Sequence, residues 1–277
     1  MQRKEEIRKL YQMSTEELIA AAAGRLQVVD DLPWHFARSI ADEIKAANAA
    51  GRPARLILPV GPTKQYPLLV DIIRDEQISL QNCYLFFMDE YADDQGRALP
   101  ADHPLSFKGH MQQLFFAHLP ESLAPPAEQV VFPDENNIST LAEQMADAGG
   151  IDTCYGGIGI HGHVAFNEPE PGVKDSEPRL VQLNEFTITI NAIRVPVGGN
   201  LEGFFHQAYT IGMRQIRQAR RIRLYCRSDG PYDWARTVLR LAVLGQPGDD
   251  YPVTHLQDRD FVVTTDRETA SQPQVIL

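Results

Sequence analysis

Residues 152–169 read DTCYGGIGIHGHVAFNEP, and this stretch indicates the architecture because an apolar run passes into glycines and then into ionisable side chains. We predict a strand over residues 152–160. Glycine lets a backbone turn sharply and approach a ligand closely. Histidine and glutamate are the side chains most readily tuned for proton transfer near neutral pH. His161, His163 and Glu168 are therefore candidate catalytic residues.

A second apolar run, residues 83–87 (CYLFF), is also followed by acidic side chains, Asp89 and Glu90. Continuous apolar strands are typical of a parallel sheet that is buried on both faces. In an open sheet of this kind, ligands bind beyond the carboxyl ends of the strands. We therefore expect Asp89, Glu90 and the loop 161–168 to meet at one edge of the sheet.

Strands and helices alternate along most of the chain. The predicted strands are residues 56–60, 83–88, 152–160, 222–226 and 261–264. The predicted helices are residues 3–12, 33–49, 66–75 and 139–148, a helix within 103–118 and one from Pro231 to about Leu244. A further helix follows residues 3–12, with Ser14 or Thr15 as its cap and Glu17 as the partner in a capping box. Helix 33–49 has Trp34, Ile40 and Ile44 on its apolar side, and helix 139–148 begins with a serine cap. This order predicts an α/β fold with a mainly parallel sheet. We interpret residues 1–32 as an N-terminal helical extension and residues 33–277 as a single α/β domain.

Two segments lack a regular pattern. Residues 174–200 contain Pro178, Pro196 and a glycine pair, and we predict a long irregular segment of the kind that often forms a lid. From about Ser271 onward, the chain is expected to be a loose tail.

Composition narrows the classes of partner. The 277 residues carry a formal net charge of −11, which argues against nucleic acid or an anionic membrane as a partner because both require a basic surface. The three cysteines, Cys83, Cys154 and Cys226, lie in apolar runs without metal-ligand spacing, so we expect buried thiols and neither a disulfide framework nor a zinc site. Residues 1–13 lack the apolar core of a signal peptide, and no apolar run reaches membrane-spanning length. These features predict a soluble, cytoplasmic protein.

The candidate residues suit proton transfer. A carboxylate base close to a histidine acid can move protons between adjacent carbons of a sugar, which is aldose–ketose isomerisation. Asp89 and Glu90 would equally suit a structural role as caps of the following turn. His161 and His163, with Glu168 as a third ligand, would suit a metal ion, but no further His or Cys lies nearby.

Three motifs resemble the glucosamine-6-phosphate deaminase/isomerase family: MDEY at 88–91, HPLSF at 103–107 and GGIGIHGHVAFNEP at 156–169. Their order and spacing also fit, and the resemblance covers about residues 33–266. It implies a three-layer αβα, Rossmann-like domain. The related 6-phosphogluconolactonases share the sheet and a similar glycine–histidine loop, but they usually lack the MDEY and FNEP forms.

The resemblance implies a role for several residues. Asp89 would be the base that moves a proton between C2 and C1 of the sugar, His163 would open the sugar ring, and Glu168 would support His163. Ammonia would leave after the amino sugar becomes an imine-bearing ketose. The resemblance implies no metal or organic cofactor, a small sugar or sugar phosphate as the ligand, and a homo-oligomer, since members of the family often form oligomers.

The sequence departs from the family pattern where the family has a catalytic aspartate and a phosphate site. His161 replaces the aspartate that orients the catalytic histidine, and a protonated His161 would lower the pKa of His163. The phosphate loop reads Gly61-Pro62-Thr63-Lys64, in which the proline has no backbone N–H to donate.

The late phosphate lysine of the family is also missing. Arg227 and Asp229 follow the corresponding strand, with Asp233 nearby. Two carboxylates repel a phosphate unless they are paired, and Arg227 or Arg194 would compensate. We therefore predict an altered anion site, with Gly61, Pro62, Thr63, Lys64, Glu90, Gly162, Arg194 and Arg227 as the candidate substrate-binding residues.

The leading hypothesis is an isomerase/deaminase that acts on a hexose or amino-hexose derivative, phosphorylated or not. The first alternative is a sugar-lactone hydrolase in which His163 activates water. The second is a sugar-binding regulator that keeps the fold without the chemistry, which His161 and the missing lysine favour and the retained Asp89, His163 and Glu168 oppose.

Overall fold

A central parallel sheet of seven strands organises the protein, and the computed structural model describes residues 3–230 and 233–277. The strands are β1 (Leu26–Val28), β2 (Ala54–Leu58), β3 (Cys83–Phe87), β4 (Asp89–Ala92), β5 (Val130–Val131), β6 (Thr153–Gly157), β7 (Arg179–Gln182), β8 (Gln207–Thr210), β9 (Arg221–Cys226) and β10 (Phe261–Thr265). The main sheet has the order β1-β10-β9-β6-β2-β3-β5, and β4, β8 and β7 form a separate antiparallel sheet.

Helices cover both faces of the main sheet. The α-helices of the described residues are α1 (Arg3–Tyr11), α2 (Thr15–Ala21), α3 (Leu32–Ala49), α4 (Gln65–Asp75), α5 (Phe107–Leu114), α6 (Leu141–Asp147), α7 (Glu185–Arg194), α8 (Met213–Gln218), α9 (Ala235–Leu244) and α10 (Arg267–Ala270). One core contains the buried side chains of α3, α4 and α5, and the other contains those of α2, α6, α8 and α9. This three-layer arrangement confirms the predicted fold class. Within the described residues, no helix is both long and apolar enough to cross a membrane.

The order of the strands reverses beside β2. The chain proceeds outward through β2, β3 and β5, then returns to add β6 and β9 on the other side of β2. Such a switch point opens a crevice at the carboxyl ends of the central strands, where α/β proteins bind ligands. The loops that follow β2, β3, β6 and β9 all lie at this edge.

The five predicted strands are present, with bounds that differ by up to three residues. The capping box of α2 is also present: Ser14 accepts a hydrogen bond from the Glu17 N–H, and the Glu17 side chain accepts one from the Ser14 N–H. The cysteines are buried and free, as predicted.

Several local predictions were wrong. Trp34 is 50% exposed, because it lies two positions, about 200°, from the buried Phe36 on a helix of 3.6 residues per turn. The predicted serine cap of α6 is absent, since Thr140 precedes the helix without a side-chain cap. The helix in 103–118 is limited to α5, which begins after Ser106. Residues 174–200 are not irregular, because they form β7 and α7.

Two further predictions concern the start of the helix after β9 and the boundary of the α/β domain. Pro231, the predicted start of a helix, lies outside the described residues, and α9 spans Ala235–Leu244. The division at residue 32 stays a prediction, and β1, which lies before it, pairs with β10 at the edge of the main sheet.

Candidate active site

A cavity of about 490 Å³ lies at the switch point, with a volume typical of small-molecule sites. Its walls are the loops after β2, β3, β6 and β9, the start of α3 and the end of α7. Eight of the predicted site residues line it: Asp89, His163, Gly61, Pro62, Thr63, Lys64, Arg194 and Arg227. The other four, His161, Gly162, Glu90 and Glu168, lie outside its lining.

Asp89 faces the cavity from the first position of β4. The strand pairs with β8, where Thr210 lies opposite Asp89, and the aspartate is only 8% exposed. Burial, with a further contribution from the neighbouring Glu90 carboxylate, raises the pKa of Asp89 to about 8. A carboxyl group with a pKa near the working pH can both accept and donate a proton.

Glu90 points away from the cavity, because successive side chains of a strand face opposite sides. Its carboxylate accepts hydrogen bonds of 2.9 Å from Ser106 Oγ and from the N–H groups of Phe107 and Lys108. It also accepts one of 3.0 Å from the Tyr91 N–H. Ser106, Phe107 and Lys108 begin α5, so Glu90 fastens that helix to β4 and neutralises the positive end of its dipole.

His163 lies above a glycine that leaves room for its ring. A Cβ added to Gly159 would lie 1.9 Å from His163 Nε2, so only glycine allows the imidazole to occupy this position. His161 and Ala165 both have left-handed backbone angles, with φ of 56° and 54°. Such angles are strained for residues with a side chain and occur preferentially at functional sites.

His163 is neutral over most of the pH range. Burial, with a further contribution from the nearby His161, lowers its pKa to about 4, and the Ile160 backbone opposes the shift. His163 Nδ1 is buried and has no hydrogen-bond partner among the described residues. A neutral, partly unpartnered imidazole can exchange a proton with a hydroxyl group.

Glu168 lies behind the cavity and is 8% exposed. Its Oε2 accepts a hydrogen bond of 2.7 Å from the Asn184 N–H, immediately before α7. Within the described part of the chain, its Oε1 accepts no hydrogen bond and none joins it to His163. Burial raises the pKa of Glu168. The predicted support of His163 by Glu168 is therefore not a direct hydrogen bond in this structure.

His161 and Gly162 turn away from the cavity. The His161 ring packs edge-on against Phe186, with 4.7 Å between centroids, and lies 6.1 Å from the Tyr251 ring. Gly162, with φ of 71°, packs so closely that an added Cβ would lie 2.9 Å from Val253 Cγ1. Both residues shape the loop that presents His163.

The loop Gly61–Lys64 leads from β2 into α4 at the cavity. No side chain caps the start of α4, and uncapped N–H groups at a helix N-terminus attract anions. The Gln65 side chain donates a hydrogen bond of 2.6 Å to the Pro62 carbonyl. Lys64 has no ion pair among residues 3–230 and 233–277, so its charge is available to a ligand.

The two arginines are engaged by acidic neighbours. Arg194 lies 2.7 Å from Asp229 and 3.0 Å from Asp233, and its guanidinium stacks 4.0 Å from the centroid of the Trp234 ring. Arg227 lies 3.4 Å from the same Asp229. The carboxylates that the sequence places beside the predicted anion site are thus paired with arginines.

Other residues of the cavity were not predicted from the sequence. Asn191 on α7 donates a hydrogen bond of 2.9 Å to Tyr91 Oη, and both line the cavity. Asn191 was missed because residues 174–200 were taken as irregular. The cap at Asn184 and the spacing of Ile188 and Ala192 are the signals of a helix there.

The known proteins that are similar to this chain agree with one another. No family model matches the chain. A Caenorhabditis elegans glucosamine-6-phosphate deaminase is 32% identical over 199 residues, which are 70% of this chain and 71% of that protein. Glucosamine-6-phosphate deaminase 1 of Bacillus subtilis is 31% identical over 254 residues, 88% of this chain and 96% of that protein.

Solved structures show the same likeness. A monomeric glucosamine-6-phosphate deaminase superposes with a TM-score of 0.76 at 27% identity, over 89% of this chain and 98% of that one. A 6-phosphogluconolactonase from Thermotoga maritima superposes with a TM-score of 0.61 at 15% identity, over 87% of this chain and 98% of that one. The second likeness concerns the fold alone.

Proposed function

Because the chain belongs to the glucosamine-6-phosphate deaminase family, we propose that it isomerises and deaminates an amino-hexose phosphate, glucosamine 6-phosphate. The observation that carries the proposal is that two buried ionisable side chains, Asp89 and His163, line the same cavity. Burial gives Asp89 a pKa of about 8 and His163 a pKa of about 4. Groups whose pKa values are moved in this way are candidates for proton transfer.

In the proposed reaction, His163 first passes a proton between the anomeric hydroxyl and the ring oxygen, which opens the pyranose. Asp89 then removes the proton at C2 and returns it to C1, while O1 gains a proton and the amino group loses one, so that the open-chain 2-amino aldehyde becomes a 2-imine with a hydroxyl group at C1. Water adds to the imine carbon and ammonia leaves, which yields fructose 6-phosphate. Glu168 supports His163 indirectly, by fastening the loop that carries it to the start of α7.

The phosphate would bind at the loop Gly61–Lys64, which lines the same cavity. The uncapped start of α4 supplies positive potential there, together with Lys64, which forms no ion pair within the described residues. Arg194 would become a third donor to the phosphate, after its guanidinium releases a carboxylate and binds a phosphate oxygen instead. Gly61 and Thr63 complete this loop, and Pro62 contributes shape without an N–H.

The decisive experiment measures ammonia and fructose 6-phosphate released from glucosamine 6-phosphate by the purified protein. Asp89→Asn should lower kcat by about 10²- to 10⁴-fold, the usual contribution of a general base, while KM changes little. Asp94→Asn, at an exposed position nearby, is the matched control and should retain full activity. Wild-type protein that binds glucosamine 6-phosphate without releasing ammonia would contradict the proposal and favour a sugar-binding regulator.

Lactone hydrolysis is a second candidate, because a neutral His163 would also suit the activation of water. The same protein should therefore be offered 6-phosphogluconolactone. Hydrolysis that is lost in His163→Gln but kept in Asp89→Asn would assign the protein to this reaction, since only the isomerase needs a base at C2.

A further inference from the structure

Helix α7 turns a polar side toward the catalytic cavity. Asn191 and Arg194 both line that cavity, and their spacing of three residues places them on the same side of the helix. Ile193, on another side of α7, does not line the cavity and is 66% exposed. Asn191 takes no part in the proton transfers or the phosphate contacts of the proposed reaction, so its place in the cavity needs another reason.

The hydroxyl group of Tyr91 holds the Asn191 amide in one orientation. Asn191 Nδ2 donates a hydrogen bond of 2.9 Å to Tyr91 Oη. The Tyr91 ring is itself held by aromatic neighbours, with its centroid 4.8 Å from that of Phe107 and 5.5 Å from that of Phe166. Burial raises the pKa of Tyr91, so the phenol is neutral. A fixed, neutral hydroxyl group therefore occupies the nitrogen end of the amide.

The oxygen end of the amide is accessible. Asn191 Oδ1 accepts no hydrogen bond within the described residues, and it is not one of the side-chain atoms that are buried without a partner. It is therefore reached by solvent, on a residue that lines the cavity. An amide oxygen accepts hydrogen bonds from hydroxyl groups, so this atom offers a directed acceptor to a ligand in the cavity.

Asn191 lies between the groups proposed for the two ends of the substrate. Tyr91 follows Asp89 by two residues in β4, so the two side chains are on the same face of the strand. Asn191 contacts Tyr91 from α7, and Arg194, a proposed phosphate contact, is one helical turn further on, about 5–6 Å between Cβ atoms. A sugar that has C1 and C2 at Asp89 and its phosphate near Arg194 therefore passes Asn191 with its middle carbons, C3 and C4.

We propose that Asn191, oriented by Tyr91, binds the hydroxyl group on C3 or C4 of the sugar and thereby selects the gluco configuration over an epimer. The inference rests on the proposed function, since it takes the substrate to be an open-chain amino-hexose 6-phosphate. In the matching configuration, the hydroxyl group donates to Asn191 Oδ1. Inversion at that carbon turns the hydroxyl group away from Asn191, and loss of the hydrogen bond weakens binding by about tenfold.

Binding of unreactive analogues tests this selection separately from catalysis. The probes are 2-amino-2-deoxyglucitol 6-phosphate and its epimers at C3 and C4, in which the aldehyde is reduced to an alcohol so that no isomerisation can follow. Isothermal titration calorimetry on the full chain gives their dissociation constants. Asn191→Leu removes the amide with little change of volume, and Tyr91→Phe removes its anchor. Ile193→Ala is the matched control, because it changes an exposed side chain of the same helix.

The wild type and Ile193→Ala should bind the gluco analogue at least about tenfold more tightly than one of the two epimers. Asn191→Leu should bind the gluco analogue as weakly as that epimer, and its unchanged affinity for the epimer would show that the variant is folded. Tyr91→Phe should show a smaller difference than the wild type.

A difference that Asn191→Leu retains, or equal binding of all three analogues by the wild type, would overturn the inference. So would a difference that Ile193→Ala also removes, since the effect would then belong to the packing of α7. If the selection is observed but glucosamine 6-phosphate releases no ammonia, the proposed function fails and the role of Asn191 stands. Absence of binding of all three analogues would overturn both.

Discussion

Asp89→Asn is the substitution that tests the electrostatics of the cavity most directly, through the pH dependence of stability. In the folded protein, burial keeps Asp89 protonated up to about pH 8, whereas in the unfolded chain it ionises near 3.8. The folded state therefore holds a proton that the unfolded state has lost. The contribution of Asp89 to the free energy of unfolding is most favourable at low pH and is progressively lost as the pH rises toward 8.

The size of the effect follows from these two pKa values. Between about pH 5 and pH 8, the single group should lower the free energy of unfolding by about 4 kcal/mol, at about 1.4 kcal/mol per pH unit where only the unfolded chain is ionised. Asparagine has nearly the same shape and no charge, so the variant lacks this dependence. The stability of Asp89→Asn relative to wild type should therefore increase with pH by about that amount.

Urea denaturation at several pH values between 5 and 8 measures the difference. Asp94→Asn is the control, because its exposed carboxylate lies in the same segment and it should follow the wild type. Any cost of burying an asparagine amide displaces the Asp89→Asn curve by a constant and leaves its slope unaffected. Parallel curves for wild type and Asp89→Asn would refute the reasoning, since they would mean that Asp89 is ionised in the folded protein at neutral pH.

Three other substitutions test the surroundings. Asp229→Asn removes a carboxylate that competes with the substrate phosphate for Arg194. The KM for glucosamine 6-phosphate should therefore fall by about threefold with kcat unchanged, as loss of a partly exposed ion pair suggests. A higher KM would contradict this expectation. Gly159→Ala forces the His163 ring to move, so steady-state assays should show kcat reduced by about 100-fold, and a fully active variant would be incompatible with the ring position. Glu90→Gln weakens the hydrogen bonds that hold the start of α5, so urea denaturation should show a free energy of unfolding that is lower by about 2 kcal/mol. A variant of unchanged stability with a reduced kcat would instead show that Glu90 takes part in the reaction.

The sheet could be predicted because its strands are continuous apolar runs. The glycine–histidine loop could be predicted as part of the site because its residue types are unusual together. The choice between Asp89 and Glu90 could not be made from residue pattern alone. Adjacent side chains of β4 face opposite sides, and the pairing with β8 decides which one meets the cavity. The resemblance to the family assigned catalysis to Asp89, and the structure turns that side chain inward.

Other parts depend on tertiary contacts that no local pattern contains. Helix α7 was missed because flanking prolines and glycines suggested a loop, although Asn184 and the apolar spacing after it indicate a helix. His161 was considered as a catalytic group, yet its ring packs against Phe186 and Tyr251. Both rings come from distant segments of the chain, so the orientation of His161 follows only from the fold.

The protonation of the cavity favours an amino sugar over a plain hexose phosphate. At neutral pH, Asp89 is protonated and His163 is neutral, so neither of the two proposed proton-transfer groups is charged in the free site. An ammonium group at C2 of the substrate would lie beside the carboxyl group that attacks the C2 proton, and an adjacent cation lowers the pKa of a carboxyl group. Binding of the amino sugar would thus ionise Asp89, which a hydroxyl group at C2 would not do.

We therefore expect kcat for deamination of glucosamine 6-phosphate to exceed kcat for isomerisation of glucose 6-phosphate by at least about tenfold at pH 7, a difference of about 1.4 kcal/mol in activation free energy. The two rates should converge above pH 8, where Asp89 ionises without help from the substrate. Initial rates with both substrates from pH 6 to pH 9 measure this. A ratio that is constant across that range would show that the base is ionised before the substrate binds.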